Sequence, residues 1–108
     1  MISILALTAL LELVGFTPTE IPVMICIAEF ESSYNSKAVN VNKNGSTDQG
    51  LFQINDGVWS KVCTGDMFDL ASNLRCARHV YLKQGYTAWV AYKPKCEVKN
   101  ETATKRSE

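Results

Sequence analysis

The chain has 108 residues, 46% of them hydrophobic, with 11 basic and 11 acidic side chains and a formal net charge of zero. That length fits one domain with a small core, which cross-links would help to hold. A balanced charge without a basic stripe excludes a nucleic-acid surface, and no apolar run is long enough to span a membrane as a helix.

Met1 to Leu11 is apolar enough for the centre of a signal peptide but lacks a basic start and a small-x-small cleavage site. Leu7, Leu10, Leu11 and Val14 recur at helical spacing, which favours a structural helix from about Ile4 to Val14, stopped by Gly15. On that reading a secretion signal is missing from the chain as given. Thr17-Pro18-Thr19-Glu20 is a helix-start signal. Thr19 as N-cap places Pro22 in the first turn, where its missing N–H costs nothing. The second helix runs to about Ser32, and Met24, Ile27 and Glu31 share one face. Glu31 thus extends an apolar stripe, whereas Glu29 faces solvent.

Asn35 to Asn55 turns polar. Val39-Asn40-Val41-Asn42 alternates like a strand, Asn44-Gly45 predicts a type I′ hairpin turn, and Thr47 to Gln49 returns as a second strand. Leu51 to Ile54 is a third short piece, and an irregular stretch runs from Trp59 to Cys63. Leu70, Leu74, Ala77 and Tyr81 predict a third helix over Phe68 to Leu82, broken by Gly85. Ala88 to Tyr92 reads as a short helix ahead of Pro94. One domain is expected over residues 1–96, with a β-subdomain at about 35–60. The nearly apolar-free tail, 97–108, is expected to be mobile.

Four cysteines, Cys26, Cys63, Cys76 and Cys96, are widely spaced and contain no C-x-x-C, which argues against zinc or thioredoxin-like chemistry. Two disulfides are the better reading; they imply an oxidising compartment and leave three pairings open. Asn44-Gly45-Ser46 and Asn100-Glu101-Thr102 each match a glycan acceptor. His79 has no evident partner and reads as surface or packing. Glu31 among apolar neighbours and Asp48 among amides can titrate differently and so divide acid and base roles.

Three strings occur in order: Phe30-Glu31-Ser32-Ser33-Tyr34-Asn35, Gly45-Ser46-Thr47-Asp48-Gln49-Gly50-Leu51-Phe52-Gln53-Ile54-Asn55, and Ala88-Trp89-Val90-Ala91-Tyr92. Together they resemble the C-type lysozyme and α-lactalbumin family over about Leu10 to Cys96. The resemblance implies an α+β, lysozyme-like fold, mostly helical, with a small antiparallel β-hairpin subdomain and a cleft between the two parts. It places Glu31 on the general acid and Asp48 on the second catalytic carboxylate of a retaining β-1,4 glycosidase. Asn42, Gln53, Asn55, Trp59, Ala88 and Trp89 fall on substrate-binding positions, with Ser46 a weaker candidate for the Asp48 network and Trp89 packing on the acid. It further implies Cys26–Cys96 and Cys63–Cys76 bridges, no cofactor, and a secreted monomer acting on peptidoglycan or chitin-type oligosaccharide. The α-lactalbumin branch binds calcium just before the third helix, but Asp66 to Asn73 offers too few oxygen ligands here, so no tight calcium site is expected.

The chain departs from that family in three ways. It has four cysteines where eight are usual, with Ser60 at an expected loop cysteine and no bridge between the chain ends. Val58 stands where many relatives carry an aromatic sugar platform. The neutral charge weakens attraction to an anionic wall. The enzyme is expected because both carboxylates are present; the alternative is a non-catalytic lysozyme-like protein that binds glycans or a partner.

Overall fold

In the computed structural model, which describes residues 1–100, the elements run α1 (Ile4–Leu13), α2 (Ile21–Ser32), β1 (Val39–Val41), β2 (Thr47–Gln49), β3 (Ile54–Asn55), α3 (Asp56–Trp59) and α4 (Leu70–Gln84). A 3-10 turn (Tyr86–Ala88) and a π-type turn (Tyr92–Cys96) follow. The three strands form one antiparallel sheet in the order β1-β2-β3, giving the expected α+β architecture. Leu7 and Leu11 of α1, Met24 and Ile27 of α2, Leu74 and Ala77 of α4, and Leu51 and Phe52 of the loop after β2 are fully buried. Burying each large apolar side chain favours folding by about 2 kcal/mol, so this cluster outweighs any single surface ion pair.

The start of α2 differs from expectation. Glu20, not Thr19, is its N-cap, and the turn ahead of it closes reciprocally: the Thr17 N–H donates to Glu20 Oε1 at 2.9 Å while the Glu20 N–H donates to Thr17 Oγ1 at 3.3 Å. This reciprocal pair, built like a capping box, satisfies two backbone N–H groups at once. Glu20 also receives Arg78 Nη1 at 3.3 Å and the Tyr81 hydroxyl at 2.9 Å, both from α4. Burial pushes the Glu20 proton affinity up, but the donors Thr17, Tyr81 and Arg78 outweigh it and hold the carboxyl below its ordinary 4.5. A depressed pKa stabilises the fold above the unfolded value, and that contribution is lost as pH falls through the folded value. Glu20→Gln is therefore expected to lower Tm at pH 7, with the gap to the unchanged protein closing below about pH 4.5; thermal melts across that range measure it.

At its far end α2 stops directly after the residues that matter. Ser33 (φ 52°) and Tyr34 (φ 62°) both adopt left-handed backbone, and the Ser33 and Tyr34 N–H groups close onto Glu29 and Ala28 carbonyls. This reversal ends the helix one residue past Ser32 and sends the chain toward β1, leaving Glu31 in the final turn.

The hairpin is not type I′. Gly45 has φ 88°, but Asn44 is not left-handed. The Gly45 N–H bonds the Asn42 carbonyl at 3.0 Å, and the Asn42 N–H bonds the Ser46 carbonyl at 2.8 Å. That is a three-residue loop in which one left-handed glycine absorbs the reversal, so Asn44 needs no positive φ. The third strand also falls later than expected, at Ile54–Asn55, because Leu51 and Phe52 are drawn into the core. The short helix α3 was not foreseen; Asn55 caps it by accepting the Val58 N–H at 3.1 Å.

Asp69 accepts the Ser72 N–H at 3.0 Å and so starts α4 at Leu70 rather than Phe68. The helix ends at Gly85 (φ 71°) as expected. Ala88 to Tyr92 is not a helix. Trp89 is extended (φ −103°, ψ 123°), with helical turns on either side of it, and Pro94 lies inside the second. Stacking of Tyr86 on Tyr92 at 5.0 Å brackets the segment. The described part of the expected tail, residues 97–100, continues helically; residues 101–108 lie outside the described residues. The bridges are Cys26–Cys96 and Cys63–Cys76, with Cα–Cα distances of 5.8 and 5.4 Å.

Candidate active site

Glu31 reaches from the last turn of α2 into a cleft of about 210 Å³ facing the sheet. Asp48, Gln53, Asn55 and Trp59 line the sheet side; Ala88, Trp89 and Val90 line the other. Glu31 is half-buried, and its Oε2 accepts the Ala91 N–H at 3.3 Å. Removal from water pushes its pKa above the usual glutamate value; the Ala91 bond pulls back, and the charge of Asp48 pushes up again.

Asp48 occupies the centre of the sheet, opposite Asn40 on β1 and Asn55 on β3. Alternation along these short strands points their polar side chains to a common face. Asp48 Oδ1 accepts Asn55 Nδ2 at 2.8 Å and Asn42 Nδ2 at 3.3 Å. Both amides also donate to Ser46 Oγ at 3.1 Å, so Ser46 does belong to this network. Among the described residues Oδ2 accepts no hydrogen bond, which leaves one carboxylate oxygen for other work.

The remaining expected positions divide. Gln53 lines the cleft, but its amide is engaged locally: Nε2 donates to the Ala38 and Gly50 carbonyls, and Oε1 accepts Asn40 Nδ2 at 2.6 Å. Its left-handed backbone (φ 50°) is held by those bonds. Trp89 is 5% exposed, donates from Nε1 to the Phe52 carbonyl at 2.8 Å, and meets the Phe52 ring edge-on at 6.1 Å. Trp59 borders both the cleft and an adjoining hollow of about 320 Å³, with His79 against it at 5.8 Å. His79 thus has a partner that its sequence context did not reveal. Val58 is 62% exposed on α3.

Asp56 was missed. Its carboxylate accepts the Thr47 N–H at 2.8 Å and the Thr47 hydroxyl at 2.9 Å, tying α3 to the strand of Asp48. The Asn55-Asp56-Gly57 run, an N-cap followed by an acid in the first turn, is the signal that could have found it. Asp66 and Asp69 spend oxygens on the Phe68 and Ser72 N–H groups, and among the described residues no cluster of three His, Cys, Asp or Glu is placed to hold a metal. A larger hollow of about 600 Å³ lies by α1 and α2, but it contains neither Glu31 nor Asp48.

A profile of the C-type lysozyme/alpha-lactalbumin family matches residues 4–105. Lysozyme C of Penaeus merguiensis is 46% identical over 92 residues, covering 68% of this chain and 58% of that protein. Lysozyme C-2 of Bos taurus is 37% identical over 101 residues, covering 80% and 69%. The crystal structure of a lysozyme from Litopenaeus vannamei superposes with a TM-score of 0.75 at 38% identity, covering 90% of this chain and 88% of that one.

Proposed function

The chain belongs to the C-type lysozyme/alpha-lactalbumin family, and from that premise we propose that it is a secreted glycoside hydrolase cleaving the β-1,4 bonds between N-acetylmuramic acid and N-acetylglucosamine in peptidoglycan. The observation that carries this reading is the pairing of a half-buried Glu31, its pKa raised, with an amide-tethered Asp48 across one cleft. Glu31, its pKa raised by burial, keeps its proton to higher pH than an exposed glutamate and gives it to the glycosidic oxygen as the C1–O bond breaks. Asp48, kept in place through Oδ1, presents Oδ2 to the developing glycosyl cation. Glu31, now ionised, takes a proton from the water that releases the sugar with retained configuration. Asn42 and Asn55 orient Asp48, and Trp59 offers a ring face to sugar. Two disulfides suit an oxidising, extracellular setting. Among the described residues no helix is long and apolar enough to cross a membrane.

The test is hydrolysis of soluble peptidoglycan fragments and chitin oligosaccharides by oxidised protein; turnover supports the enzyme, and glycan binding without turnover would replace it with a non-catalytic binder. The exposed Val58 and the neutral charge weaken the hold on an intact anionic wall, so lytic potency on whole cells is expected to trail activity on soluble fragments.

Trp89→Ala is expected to move the alkaline limb of the pH–rate profile to lower pH. Opening the buried wall beside Glu31 hydrates its carboxylate, its pKa falls, and the proton is lost sooner as pH rises. An unmoved limb would contradict the desolvation argument.

A further inference from the structure

We propose that Asn73 is a positioning residue for the Glu31–Asp48 centre, acting through Gln49 and Phe52; the inference rests on the hydrolase reading above. Asn73 sits in the second turn of α4 and is 1% exposed. An asparagine on a helix usually faces water, so burial of its whole amide calls for partners. Both ends of the amide have them. Nδ2 donates to the Gln49 carbonyl at 3.0 Å and to the Met67 carbonyl at 2.8 Å, and Oδ1 accepts the Phe52 N–H at 3.0 Å.

Those partners lead to both sides of the cleft. Gln49 follows Asp48 on β2, so the bond to its carbonyl fixes the end of the strand that carries the carboxylate. Phe52 gives its N–H to Asn73 and its carbonyl to the Trp89 indole. One amide on α4 therefore anchors the Asp48 strand and, through the single residue Phe52, the tryptophan wall.

Gly50 shows how close this approach is. Its φ is 78°, and a Cβ there would fall 2.1 Å from the Met67 carbonyl oxygen and 2.5 Å from Asn73 Nδ2. Only a glycine lets the backbone pass between those groups. A buried network satisfied at every atom holds one geometry, and a partly satisfied one does not. Asp and Asn have the same shape, but an ionised aspartate has no donors, so the Gln49 and Met67 carbonyls would lose the hydrogen bonds that Asn73 gives them.

Asn73→Asp, assayed well below its Tm on a soluble chitin oligosaccharide, is expected to lower kcat about tenfold or more with KM changed less than about twofold. The alkaline limb of its pH–rate profile is expected to move to lower pH, because a strand and a wall that drift from Glu31 lessen both the Asp48 repulsion and the burial. A smaller folded fraction would scale the rate without moving the limb. Asn73→Ser, which keeps one donor and one acceptor, should fall between the two and carries the test if the aspartate variant does not fold. A folded variant with unchanged kcat and limb would overturn the proposal. Hydrogen exchange of the Trp89 indole N–H reads the same relay without substrate: faster exchange in the variant upholds it, and unchanged exchange overturns it. An inactive wild-type protein would remove the hydrolase reading and leave that exchange result standing on its own.

Discussion

Glu31→Gln is expected to reduce hydrolysis of peptidoglycan fragments by about two to four orders of magnitude while leaving the fold intact. Glutamine keeps the shape of the side chain and an oxygen for the Ala91 N–H, so the loss reports the missing acid and not a collapsed cleft. The stability effect has a definite sign. Folding raises the Glu31 pKa through burial and the nearby Asp48 charge, so the ionised form is disfavoured in the folded state. Above the unfolded pKa, near 4.5, that ionisation costs stability, and the cost reaches its full size once pH passes the raised folded value. Glu31→Gln should therefore melt at an equal or higher temperature than the unchanged protein at neutral pH, the difference shrinking in acid. Retained turnover would remove Glu31 from the acid role, whatever the melts show.

Opening Cys26–Cys96 by paired serine substitutions is expected to cost about 4 kcal/mol, and opening Cys63–Cys76 about 3 kcal/mol. The order follows from the chain closed by each bridge: the sequence separations are 70 and 13. The long bridge ties α2, the helix of Glu31, to the π-type turn behind the Trp89 wall, and both its cysteines are buried. Against a total stability of about 5–15 kcal/mol for a domain, either loss is large, and in a chain with two bridges neither is backed by neighbours. Urea unfolding of the two double-serine variants measures both. A larger loss from the short bridge would show that native packing, not chain entropy, sets the contribution.

Glu31 and Asp48 were singled out in the sequence by local strings that resemble a known family, and the fold brings both to one cleft. Glu31 closes an apolar run and Asp48 follows an Asn-Gly turn, but it is the three strings taken together that set the pair apart from ordinary surface carboxylates. The helices were legible from local pattern, since Leu7, Leu11, Leu74 and Ala77 carry the period of a buried face. Where two local signals competed, the one that satisfied more backbone groups prevailed. The start of α2 fell on Glu20 and not Thr19, because Glu20 and Thr17 exchange two hydrogen bonds in the turn ahead of it. Gly45 alone took the left-handed position in the hairpin. Ala88 to Tyr92 has helical composition, but Trp89, buried against Phe52 37 positions away, is extended and splits the segment between two helical turns. Asn73 was invisible on similar grounds. A single asparagine on a helix looks solvated until the chain returns Gln49, Phe52 and Met67 to it. Charge, too, gave no hint that Glu20, Arg78 and Tyr81 would converge from two helices.

The pairing of Glu31 as acid with Asp48 as the group that meets the glycosyl cation is tested most directly by proton NMR of a chitin oligosaccharide during its first minutes with the oxidised protein. New reducing ends should appear first as the β-anomer, since capture on one face and release by water on the other retain configuration. Reducing ends appearing first as the α-anomer, or none appearing, would contradict it.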